Sequence, residues 1–108
     1  TTTFRFDVLL KLISSHEIPT ALRVSSLSFV NGLISSADDL VTRNTVRNEF
    51  LHHGFKKIIQ DLKSERLEEF ENLIETFESD LADDYQDLMY LAQENSDFLN
   101  SSFEGMQD

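Results

Sequence analysis

The sequence predicts an all-α chain, and three observations predict it. Only one Pro and three Gly punctuate 108 residues. Apolar side chains recur at spacings of three and four almost throughout, and the strict alternation of a half-buried strand is nowhere sustained. A chain of this length makes one small domain or a slice of a larger one, because short chains bury a modest fraction of their surface.

The elements follow in order. A first helix is expected over 4–13, with Phe6, Leu9, Leu10 and Ile13 on its buried face. Ser14 to Glu17 form a polar link, after which Pro19 suits the first turn of a second helix, where its missing N–H has no partner to lose. That helix runs to Ser35 and presents Leu22, Leu27, Val30, Leu33 and Ile34. Ser36 to Asp39 make the next link, whose aspartates can cap a third helix and favour its N-terminal dipole. Leu40, Val46, Phe50 and Leu51 share one face of the third helix, and Gly54 stands where it should stop. A short fourth helix over 55–63 carries Phe55, Ile58, Ile59 and Leu62, and Ser64 is the expected N-cap of a longer fifth helix with Glu65, Glu68 and Glu69 at its start.

The fifth helix has a pattern of its own. Leu67, Phe70, Ile74, Phe77, Leu81, Leu88 and Leu91 follow a 3,4 spacing broken once, where Asp84 falls on the seam. Such a seven-residue repeat favours a narrow stripe against another helix, at the short end of what makes a coiled coil. From Asn95 onward polar residues dominate, and a frayed or disordered end is expected, anchored at most by Phe98 or Phe103. The chain therefore divides into short helices over 1–63, a long acidic helix over 64–95 and an end over 96–108.

Charge divides it in the same place. The formal charge is −11, but residues 1–64 hold eight Lys/Arg against six Asp/Glu, while 65–108 hold one against fourteen. An acidic half of this kind repels phosphate backbones and anionic lipid, so nucleic acid and membrane are not expected partners. A basic protein segment is the natural one.

Other chemistry is missing from the sequence. There is no Cys, no Gly-rich phosphate loop, no Gly-x-Ser-x-Gly elbow and no His-Glu-x-x-His. His52 and His53 are adjacent and point about 100° apart on a helix, which does not suit a shared metal. No enzyme activity, metal or cofactor is expected. No apolar run approaches the roughly 20 residues of a membrane span, and nothing resembles a signal peptide, so a soluble cytoplasmic chain is expected. Its Thr-Thr-Thr opening without Met reads as a fragment.

Two stretches carry a resemblance: Phe-Val-Asn-Gly-Leu-Ile at Phe29 to Ile34, and the run from Asp39 to Phe55 with arginines at i and i+4. Together they resemble the end of the armadillo-repeat regulatory region of diaphanous-type formins. That family pattern reads Ile-Asn-Ala-Leu-Ile, a short acidic link, Asp-Phe-Arg, an Arg-x-Glu step and a Leu-Gly-Leu or Leu-Gly-Phe close. It holds at Asn31, Arg43, Arg47, Glu49 and Gly54, covers roughly 18–63, and departs where Leu-Val-Thr separates Asp39 from Arg43. The resemblance implies an armadillo-like segment continuing into an acidic interdomain helix. It implies capture of the formin's own C-terminal autoregulatory helix, release by a Rho-family GTPase bound through repeats mostly outside this chain, a homodimer in the full-length protein, an indirect link to actin and a cytoskeletal or cortical location.

By the same resemblance, Asn31 contacts the autoregulatory helix. Ser28 and Ser35, three before and four after it, line the same face. Glu78, Asp80, Asp83 and Asp84 would meet the basic residues that follow that helix, since Phe77-Glu78 falls on the Phe-Asp step opening an acidic cluster in the family. The plainer readings are an Asn31 at the solvent edge or bonded to a neighbouring turn, and a solvated acidic face. Arg43 and Arg47 are expected to pair with Asp39, Glu49 or an acid on the long helix. The rival function is structural: a helical scaffold, or self-association through Leu67, Phe70, Ile74, Phe77 and Leu81.

Overall fold

Five helices account for the architecture of the computed structural model, which describes residues 4–106 and the side chains of 4–95. They are α1 Asp7–Ser14, α2 Thr20–Ser35, α3 Leu40–His52, α4 Phe55–Glu65 and α5 Glu68–Met106. No strand occurs among the described residues. The short helices pack on one another, and α5 lies across α2, α3 and α4.

Each junction has a local cause. Asp39 caps α3, its carboxylate accepting the Thr42 backbone N–H at 2.8 Å and the Thr42 hydroxyl. These bonds hold the Asp39 carboxyl below the usual carboxylate range. Gly54 stops α3 at φ 93°, a left-handed turn that lets α4 start at the next residue. Arg66 ends α4 at φ 55°, the one non-glycine residue in that region among those described. Consequently Ser64 does not cap α5: it lies inside α4, its hydroxyl donating to the Asp61 carbonyl, and α5 begins four residues later. Glu68, Glu69 and Glu71 favour the dipole of that first turn.

One core joins all five helices: Leu10 and Ile13; Leu27, Val30 and Ile34; Phe50; Phe55, Ile59 and Leu62; Phe70, Ile74 and Phe77. Stacked, tilted and edge-on rings run through it from Phe6 to Phe50 at 5.1 Å, Phe50 to Phe55 at 5.8 Å and Phe55 to Phe77 at 5.0 Å. Each such pair adds about 0.5–1.5 kcal/mol beyond the area it buries.

Three expectations change here. Phe70, Ile74 and Phe77, three of the residues expected to form a self-association seam, are 0%, 2% and 3% exposed in this chain's own core, with Leu67 and Leu81 packed beside them. The stripe is satisfied internally because α2, α3 and α4 supply the neighbouring face. On α2 the buried row is Arg23, Leu27, Val30 and Ile34, so Leu22 faces solvent and Arg23 does not. At the far end α5 continues helical to Met106, since extending an established helix costs far less than nucleating one. The side chains of Phe98 and Phe103 lie outside the described residues.

Candidate functional site

The crossing of α2 and α5 brings together the residues that the sequence singles out. Asn31, half-buried on α2, donates from Nδ2 to the backbone carbonyl of Leu73 on α5 at 3.0 Å. That bond satisfies an amide in apolar surroundings and fixes the height at which α5 crosses. Asn31, Ile34, Phe77 and Asp80 share a narrow crevice with Arg47, so the amide and an acid of α5 meet there. Ser28 and Ser35 are exposed on α2, and the Ser35 hydroxyl bonds the Gly32 carbonyl.

The α2 surface also holds what sequence reading missed. Leu22 and Phe29 are 45% and 54% exposed, at positions seven apart on one face with Ser25 and Gly32. Large apolar side chains flanked by small ones leave room for a helix to lie alongside. The signal was legible: α2 has more apolar positions than one buried row can hold.

The four acids of α5 have different fates. Asp80 and Asp83 are exposed, and neither has a basic partner among the described residues. Glu78 reaches Lys63 at 3.0 Å, an exposed pair worth about 0.2–1 kcal/mol. Asp84 is the correction. It is buried, and its carboxylate accepts from Arg43 Nε at 3.1 Å, Arg43 Nη2 at 3.2 Å and Arg47 Nη2 at 2.8 Å. Its place on the seam points it at α3, where arginines four apart converge on it. The interruption in the stripe is therefore a polar clasp, and Asp84 has no carboxylate oxygen left unbonded for a ligand.

The electrostatics follow from that geometry. The Arg43 bonds, helped by Arg47 and opposed by burial, hold the Asp84 carboxyl below the usual carboxylate range, and Asp84 in turn raises Arg43. Arg43 also donates from Nη1 to the Ala37 and Asp38 carbonyls, tying the α2–α3 link to the clasp. Arg47 is fully buried, donates from Nη1 to the Asn44 side-chain oxygen Oδ1 at 3.1 Å, and leaves its Nε unpartnered.

A second clasp went unread in the sequence. Arg23 binds Glu65 through both guanidinium amines at 3.0 and 2.7 Å, donates from Nε to the Ile13 carbonyl at 2.9 Å, and lies 5.0 Å from the Phe70 ring centre. The Arg23 bonds keep Glu65 below the usual carboxylate range against the opposing effect of burial. One side chain thus ties α1, α2, α4 and α5 together. Its spacing from Leu27, Val30 and Ile34 was the available sign.

A further groove of about 350 Å³ runs between α3, α4 and α5, floored by Leu51, Ile59, Phe77 and Leu81. Lys56 and Lys63 stand on its rim, which disfavours a basic ligand. Among the described residues no group of three or more His, Asp or Glu could hold a metal ion.

Comparison with known proteins places this geometry. The family model of the diaphanous FH3 domain matches residues 3–107. This chain belongs to the diaphanous FH3 family. Human protein diaphanous homolog 2 is 30% identical over 86 residues, 80% of this chain and 8% of the relative, and the mouse protein is 31% identical over the same span. Human protein diaphanous homolog 3 is 43% identical over 42 residues, 39% of this chain and 4% of the relative. No solved structure gives a significant match. The FH3 chain spans less than a tenth of these relatives. It is an all-α, armadillo-like part of a formin regulatory region.

Proposed function

We propose that this FH3 segment helps hold a formin inactive by capturing the amphipathic autoregulatory helix from the formin's own C-terminus. The observation that carries the reading is the outer face of α2, where exposed Leu22 and Phe29 flank Ser25 and Gly32, with Ser28 and Ser35 across that face and Asn31 turned toward α5 and Asp80. An apolar helix would lie on this face, and basic residues behind it would meet the carboxylates of Asp80 and Asp83. Asp84 is left to the clasp, and Glu78 contributes only by exchanging Lys63 for the ligand. Release by a Rho-family GTPase would act through repeats mostly outside this chain, placing the segment in control of actin assembly at the cytoskeleton.

The test is a titration of the formin regulatory region with a peptide from its own C-terminus, at low and high salt. Saturable binding weakened about tenfold by Phe29→Asp, with a shallower salt dependence after Asp80→Asn and Asp83→Asn, is the expected result. Affinity and salt dependence unchanged in both variants would remove the reading.

Self-association is the second reading, and it moves along the helix. Tyr85, Leu88, Met89 and Leu91 are exposed on α5 beyond the body, in place of the seam residues now buried. Concentration-dependent mass abolished by Leu88→Asp with Met89→Asp would favour it, and a constant monomer mass would exclude it for this chain.

A further inference from the structure

We propose that Ser36 is a phosphorylation site for an acid-directed protein kinase, and that the clasp between Arg43 and Asp84 governs access to it. Ser36 follows the last residue of α2 and is exposed, in a link of four residues before α3. Asp38 and Asp39 stand two and three positions after it. Acid-directed kinases read carboxylates at those positions with basic pockets, through the charge-assisted contacts that make such recognition strong. Ser35 has one acid at the matching distance and lies within the last turn of α2.

The link must leave its folded path to lie extended in a kinase cleft. Its own bonds are local: the Ser36 N–H donates to Gly32 at 2.9 Å, the Ser36 hydroxyl to Leu33 at 2.7 Å, and the Ala37 N–H reaches Ile34 at 3.4 Å. The stronger restraint is Arg43, whose Nη1 donates to the Ala37 and Asp38 carbonyls at 3.2 and 3.1 Å while Asp84 holds the other side of the guanidinium. Access to Ser36 and closure of α5 on α3 are therefore linked equilibria.

In the reaction the Ser36 Oγ attacks the γ-phosphorus of ATP. The new P–O bond forms as the bond to the β–γ bridging oxygen breaks, ADP leaves, and the hydroxyl proton passes to the carboxylate base of the kinase. The product is a dianion at the C-terminal end of α2, beside Asp38 and Asp39, where the helix dipole and both carboxylates repel it. Arg43 is the cation at this link. Drawing its guanidinium toward phosphate weakens its hold on Asp84, and opening the clasp in turn raises the population of the extended link that a kinase can bind, which speeds modification. The Asp80 and Asp83 face of α5 would shift with it.

The experiment uses the intact chain, an acid-directed casein kinase and ATP, with phosphate mapped by mass spectrometry. Phosphate on Ser36 is expected, lost in Ser36→Ala and kept in Ser35→Ala, with the initial rate raised roughly five- to tenfold in Arg43→Gln. Phosphate appearing on Ser36 only in Arg43→Gln also supports gating, provided circular dichroism shows that variant folded. If the variant does not fold, melting of the fully phosphorylated wild-type chain decides: a lowered midpoint supports the proposal and an unchanged one overturns it. Phosphate absent from Ser36 in both chains, or equal rates in two folded chains, overturns it as well.

Discussion

Asp84→Asn isolates the clasp, because the amide keeps the carboxylate's shape and removes its charge. The wild-type carboxylate accepts three guanidinium bonds, the shortest at 2.8 Å from an Arg47 side chain only 2% exposed. Removing one partner of a buried pair leaves the other charge uncompensated, at a cost of about 3 kcal/mol. Arg43 adds little to this figure, since it is partly exposed and keeps the Ala37 and Asp38 carbonyls. Against a typical total of about 5–15 kcal/mol, the loss is a large share.

Urea unfolding followed by helical circular dichroism reads it. The midpoint should fall by roughly 2 M for a slope near 1.5 kcal/mol per M. The adjacent exposed acid supplies the control, with Asp83→Asn within about 0.5 kcal/mol of wild type. The pH dependence adds a second constraint. Because the folded Asp84 carboxyl lies below its unfolded value, its contribution is complete above about pH 4–5 and is lost as pH falls through the lower, folded value. The gap between wild type and Asp84→Asn should therefore hold from pH 7 to 5 and close on further acidification. A gap under about 1 kcal/mol at pH 7, or one that persists unchanged to pH 3, would refute the assignment of Asp84 as the partner of a buried arginine.

Four further outcomes follow from the geometry. Arg23→Lys keeps the charge but loses the two-pronged bond to Glu65, and thermal or urea unfolding should show a loss of about 1.5 kcal/mol. Gly54→Ala should cost about 1 kcal/mol by the same measurement, from backbone strain alone, because an added Cβ meets nothing within 4 Å, whereas Arg66→Gly should gain roughly 0.5 kcal/mol. The double change Ile74→Asp with Phe77→Asp should abolish the cooperative melt of the chain itself, because both side chains are buried in its own core; a folded variant would contradict that packing.

The sequence made the helices legible because periodicity reports burial directly. The rows of α1 and α4, an aspartate cap on α3 and the Gly54 stop all came from spacing and residue type. Periodicity names a buried face without naming what covers it, which is why the α5 stripe could be read as a contact between chains. Polar residues inside those rows were harder. Arg23, Arg47 and Asp84 occupy core positions, and composition assigns such residues to the surface unless their spacing is weighed first. Of the candidate site, the acids and Asn31 stood out by charge and by resemblance. The exposed Phe29 did not, because a surplus of apolar positions on α2 shows that some must face solvent without showing which.

In mechanical terms, α5 is a lever. Its first part is bolted into the core through Phe70, Ile74 and Phe77, Asp84 is the last buried side chain among those described, and every one from Tyr85 to Asn95 is exposed. From Asp84 to Met106 the helix extends about 33 Å, so a tilt of about 10° at the clasp swings the far end through roughly 6 Å. Side chains on α3 too short to reach past the body of the protein thereby set the bearing of an arm much longer than themselves.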